Sequence, residues 1–158
     1  MKNITRSNIY LPIAAMILTA ALATPAAAQT QVPFKGTFQG NDTVMPPTIT
    51  TAATGIGTLV GQLSLTDVFN LTSGTGTGHW IAANGDSIDS TYVASVVFGD
   101  VVATITEIHT ITGGTGRFSG AHGSFTVHRA HVRAPSDDGT HVTFGWFEGT
   151  LTSPGAVR

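Results

Sequence analysis

The sequence predicts an all-β fold: one domain built as an eight-stranded antiparallel barrel. Three observations point there. From Gln29 onward the chain is rich in Thr, Val, Ile, Phe and Gly and poor in Lys, Glu, Leu and Met, and no window of a dozen residues carries an apolar period of 3.6. Turn residues recur about every ten positions, the spacing of a sandwich or barrel. The longer segments alternate apolar and polar residues at period two, as a sheet with one buried face requires. Closing eight such strands into a barrel leaves no exposed edge.

The first strand is expected near Phe34–Val44, broken at Met45-Pro46-Pro47 because proline cannot donate to a sheet ladder. A Thr-rich linker is expected up to Thr54, then short strands Gly55–Val60 and Gln62–Phe69 jointed at Gly61. Asn70–Gly76 reads as a loop and Thr77–Ala83 as a strand, closed by Asn84-Gly85, whose two residues accept the positive φ of a type I′ hairpin turn. Asp86–Phe98 and Val101–Thr112 follow, with Gly99-Asp100 between them. Ser124–Ala134 and His141–Leu151 complete the set, joined through Pro135-Ser136-Asp137-Asp138-Gly139.

Residues 1–28 stand apart. Lys2 and Arg6 precede an apolar run, Ile9 to Ala23, and Thr24-Pro25-Ala26-Ala27-Ala28 supplies small residues in the A-x-A arrangement. That is the layout of a secretory signal peptide cleaved after Ala28, and the run of about 15 residues is shorter than a membrane span. The expected product is an exported domain, residues 29–158, in a bacterial periplasm or the medium. Its basic residues are Lys35, Arg117, Arg129, Arg133 and Arg158; its acids are Asp42, Asp67, Asp86, Asp89, Asp100, Glu107, Asp137, Asp138 and Glu148. A net charge of −4 gives no attraction to nucleic acid or an anionic membrane. With no cysteine, disulfides, a lipoprotein anchor and thiolate chemistry are excluded.

Gly113 to Phe125, G-G-T-G-R-F-S-G-A-H-G-S-F, sits between two strands. Gly113, Gly114 and Gly116 are expected to turn the chain tightly, Phe118 to plug one barrel end, and Gly120 and Gly123 to permit a bend or bulge as the next strand starts. A phosphate loop or dinucleotide fingerprint would need a following helix, and a strand follows instead. This segment resembles the G-G-[ST]-G-x-F-x-G-A-x-G of allene oxide cyclases, and is similar to the G-G-T-G-x-F-x-x-A-x-G of plant dirigent proteins. V-T-F-G-W-F-E-G-T-L, within His141–Leu151, resembles the closing strand of the cyclase barrel. The resemblance covers about forty residues and implies an eight-stranded barrel with an apolar cavity, often a homotrimer. In that family the cavity guides ring closure of a reactive lipid epoxide or steers phenoxy-radical coupling. The motif holds no catalytic acid or base, and the cyclases' catalytic residues find no secure counterparts here.

Glu107 and His109 are the candidate catalytic pair. Two apart on a strand, they share a face with Val101, Ala103, Ile105 and Ile111. Inside a cavity, burial would raise the Glu107 pKa and make it a proton donor with His109 as partner. The plainer expectation puts both at the barrel mouth, wetted. The six histidines, 79, 109, 122, 128, 131 and 141, match no ligand spacing, so no metal and no cofactor are expected. Arg117, Arg129 and Arg133 are expected to face Asp137, Asp138 and Glu148; Arg129 and Arg133 share a strand face by parity, a pair that could bind an anion, with surface ion pairing the plainer expectation. Trp80, Tyr92, Trp146 and Phe147 are candidates for a cavity or an interface; Trp146 and Phe147 are adjacent, so one points outward.

Three function classes fit. The barrel binds a small apolar molecule; or it is an isomerase or cyclase aided by Glu107; or it is a structural or interaction barrel with a filled core. Enzyme status stays open at this level.

Overall fold

A computed structural model describes residues 30–152, so the leader and its cleavage point lie outside the described residues. In chain order the strands are β1 (Val32–Met45), β2 (Thr48–Gly57), β3 (Gly61–Asn70), β4 (Thr75–Ala82), β5 (Ser87–Phe98), β6 (Val102–Gly114), β7 (His122–Val132) and β8 (His141–Thr152). Each pairs antiparallel with the next, and β8 returns to β1, closing an eight-stranded barrel. Among the described residues the one helical element is a 3-10 turn, Gly116–Phe118, and no helix is long and apolar enough to cross a membrane.

Three local expectations are corrected. The Thr-rich linker is strand: Thr48 to Thr54 lies in β2, paired with β1 from Met45↔Thr48 onward. Threonine is β-branched and favours pleated backbone, and Pro46-Pro47 turns the hairpin rather than opening a linker. The turn at Asn84-Gly85 is not type I′. Among these residues only Gly85 has positive φ, its N–H donating to Ala82 C=O at 2.9 Å, while Asn84 spends its side-chain amide on Asp86 at 2.7 Å. Of the bend or bulge expected at Gly120 and Gly123, the chain shows the bend, with both glycines at positive φ, and the bulge falls elsewhere. β6 and β7 pair evenly as far as Ile111↔Gly123, whereas Asp89 pairs with Gly113 and Ser90 with Ile111, leaving Thr112 as the extra residue.

The glycine-rich corner does plug one end. Gly116 takes φ +54, and a Cβ there would lie 1.8 Å from Asp86 Oδ1, so the position admits glycine alone without rearrangement. Gly113 and Gly114 end β6 rather than turning. Thr115 N–H donates to Ser87 C=O at 2.9 Å and Ser87 N–H to Thr115 Oγ1 at 2.9 Å, fastening the corner to β5. Phe118 is thereby driven fully into the interior.

Inside, the barrel has two zones. The end under Phe118 is filled by Phe34, Trp80, Phe125, Phe147 and Leu151, each at 0–2 % exposure. Most of the ring pairs meet edge to face, Trp80 on Phe125 at 5.2 Å and 89°, Phe34 on Phe125 at 5.1 Å and 82°, while Phe34 and Phe147 are tilted at 41°. Such pairs add about 0.5–1.5 kcal/mol each beyond burial. Above this floor one lateral row of paired, inward positions turns polar: Asp42 on β1, Thr51 on β2, Asp67 on β3, Gly78 on β4 and Ser90 on β5.

Candidate functional site

Strand parity sends Phe125, Val127 and Arg129 of β7 to the same inward face, and Glu107 and His109 of β6 to theirs. Arg129 is 4 % exposed. Its guanidinium gathers three acids from three strands. Nη2 donates to Asp67 Oδ2 at 2.5 Å and to Glu107 Oε2 at 3.3 Å. Nη1 donates to Thr51 Oγ1 at 2.6 Å and lies 3.5 Å from Asp42 Oδ1. Nε stands 3.0 Å from Glu107 Oε1, an ion-pair contact without hydrogen-bond alignment. The Phe38 ring covers the cation at 5.5 Å.

A second chain of contacts leaves Glu107. Its Oε2 is 3.2 Å from His109 Nε2, and His109 Nδ1 is 2.9 Å from Ser90 Oγ. The imidazole is stacked between Tyr92 at 4.4 Å and Phe125 at 4.5 Å. On the other side, His131 Nδ1 donates to Asp42 Oδ2 at 2.6 Å, and Thr51 Oγ1 donates to Asp42 Oδ1 at 2.6 Å.

One guanidinium faces three carboxyl groups, so the layer resists carrying every negative charge. Burial pushes Asp67 up to about 6 and Glu107 up to about 7, against the pull of Arg129. Burial also acts on Asp42, but there the His131 hydrogen bond, the Arg129 charge and the Thr51 hydroxyl outweigh it and hold the carboxyl below its ordinary value. Burial pushes His109 down to about 4, leaving a neutral ring, and raises the Tyr92 phenol. Arg129 is held charged by its three acids although burial opposes it. The neutral His109 carries one proton: with Nε2–H donating to Glu107, Nδ1 accepts the Ser90 hydroxyl.

The open end holds a cavity of about 110 Å³ over this layer. Ile49, Phe69, Ala94, Val96, Phe98 and Ile105 form apolar walls, while Asp42, Tyr92, Glu107, Arg129 and His131 form the floor.

Glu107 and His109 are brought together, but not at a wetted mouth: they are 3 % and 0 % exposed. Tyr92 lines the cavity. Trp80 and Phe147 lie deeper, in the aromatic zone, and Trp146 points outward, stacked on His128 at 4.0 Å. Gly113, Gly114, Gly116, Phe118, Gly120 and Gly123 surround the opposite end, away from the acids. Arg129 is no surface partner of Asp137, Asp138 or Glu148; Arg117 meets Asp86 at 3.6 Å, and Arg133 Nη1 donates to Gly99 C=O at 2.9 Å. Asp42 and Asp67 carry no expected site role and Arg129 only a surface one, although Phe125-x-Val127-x-Arg129 and Leu63-x-Leu65-x-Asp67 put a charge at the next apolar-face position. Comparison with protein-family models, curated proteins and solved structures finds no match.

Proposed function

We propose that this chain is an exported barrel that binds a small, mainly apolar molecule at its open end, polar tip inward. One observation carries the reading: an apolar-walled cavity ends on buried Arg129, Glu107 and Tyr92 with half-buried His131 beside them. Volume limits the occupant. A cavity of about 150 Å³ holds benzene, so 110 Å³ takes the end of a molecule whose remainder rests at the mouth near Phe98 and Leu71. The corner motif supports an allene oxide cyclase-like or dirigent-like barrel, and a homotrimer belongs to that reading.

A second reading, an isomerase or cyclase guiding ring closure, is favoured by Glu107. Its carboxyl, pushed up to about 7, is a proton donor at the cavity floor. A barrel filled throughout is disfavoured by the cavity itself.

Thermal-shift titration against a panel of short lipids and phenolics tests binding. A true ligand at a hundredfold its Kd stabilises the wild type by about 2.7 kcal/mol. Ala94→Phe, which sends a phenyl ring into the cavity, should abolish that shift. An equal shift in both proteins would move binding to another surface and overturn the reading.

A further inference from the structure

We propose that the polar layer contains a built site for one water molecule, held by Asp67, Trp80 and Ser90 over the bare Cα of Gly78. The row Asp67–Gly78–Ser90 is laterally paired across β3, β4 and β5, and all three face inward. Trp80, two residues beyond Gly78, shares that face. A side chain at residue 78 would begin 2.6 Å from Asp67 Oδ1, 2.9 Å from Trp80 Nε1 and 3.0 Å from Ser90 Oγ. A methyl does not fit there; glycine lets the three polar atoms converge over its bare Cα, and a water bridging them would sit beyond the Cβ position, at van der Waals distance from that Cα.

Two of those atoms, Asp67 Oδ1 and Trp80 Nε1, are fully buried and have no protein partner. Orphaned buried groups cost about 1–3 kcal/mol each, which selects a bridging partner. The chemistry of the three selects water. Indole N–H only donates, a carboxylate oxygen only accepts, and the Ser90 hydroxyl, whose proton has acceptors in Gly78 C=O at 3.4 Å and, with the His109 proton on Nε2, in His109 Nδ1 at 2.9 Å, keeps an oxygen lone pair. The occupant must accept one hydrogen bond and donate two. A metal ion or ammonium cannot accept from Trp80, and an anion cannot donate to Asp67. A water so placed closes a circuit from Asp67 through Ser90 and His109 to Glu107 and back through Arg129. The two acids on Arg129 Nη2 are then also joined by a path along which a proton can pass.

The test uses the intact wild-type domain at about pH 8, where Asp67 is ionised. The expected spectrum of nitrogen-labelled protein shows a cross-peak between the Trp80 indole proton and a long-lived water; Trp146→Phe assigns the two indole signals. A high-resolution crystal structure should place one water about 2.7–3.2 Å from all three atoms. Gly78→Ala should abolish the cross-peak and lower Tm. A protected indole proton with no water cross-peak, or density showing Trp80 Nε1 bonded directly to Asp67, would overturn the site. Should Gly78→Ala fail to fold, the wild-type spectrum and density decide alone.

Discussion

Arg129 Nε stands 3.0 Å from Glu107 Oε1 inside the barrel, and both side chains are shut off from solvent. The ion pair is not isolated, since Asp42 and Asp67 share the same guanidinium. Removing one partner from a buried ionic cluster leaves the others uncompensated, at a cost of about 3–5 kcal/mol. Arg129→Met should therefore destabilise the domain by about that amount at neutral pH in urea denaturation. Arg129→Lys should recover only part, because an ammonium cannot serve Asp67, Glu107 and Thr51 in one planar fork. A loss below about 1 kcal/mol would mean that water screens the cluster.

Stability should carry the imprint of the raised acids. Asp67 and Glu107 hold protons up to about 6 and 7 in the fold, against ordinary values of 3.8 and 4.5. Their contribution is full below about pH 4 and is lost as pH rises through those folded values. His109 works the other way. At about 4 against 6.5, its contribution is present above pH 6.5 and lost as pH falls toward 4. Two acids outweigh one imidazole, so this layer contributes less stability as pH rises from about 5 to 7. Glu107→Gln removes one of the acids and relieves Asp67 of a like charge, so its decline over that range should be shallower than that of the wild type. Parallel urea midpoints for the two proteins would contradict this.

The corner allows a sharper contrast. Gly116→Ala must place a methyl at φ +54 against Asp86 and should cost at least about 1–2 kcal/mol. Gly113→Ala, with nothing within 4 Å of its Cβ position, should stay within about 0.5 kcal/mol. Equal losses would mean that the motif is needed for its run of glycines rather than for one backbone angle.

The barrel was legible because period two is a direct consequence of a pleated strand, and Glu107 and His109 were legible as a pair for the same reason. Parity alone, however, does not tell in from out. On β7 the apolar Phe125 and Val127 point to the inward face, yet an arginine there contradicts the usual cost of burying a charge. Its burial is permitted by Asp42, Asp67 and Glu107, which lie 87, 62 and 22 positions away, and no local pattern announces such partners. Thr48 to Thr54 was misread because Pro46-Pro47 looks like a boundary when taken alone, while its pairing with β1 is a tertiary fact.

Glu107 also separates the two functional readings. A binder keeps its ligand affinity in Glu107→Gln to within a few-fold, because the amide preserves shape and a hydrogen-bonding end. An isomerase keeps binding but loses turnover by about 10²–10⁴-fold, the usual worth of a general acid. Unchanged turnover in that variant would remove Glu107 from the chemistry.

The most direct measurement is a native mass spectrum of the protein purified gently from its exported fraction. The proposed function predicts a discrete small-molecule adduct that leaves on denaturation and is missing from Ala94→Phe; the same spectrum reads the assembly mass, trimer or otherwise. A bare protein mass, unchanged after incubation with lipids and phenolics, would contradict a ligand-binding cavity.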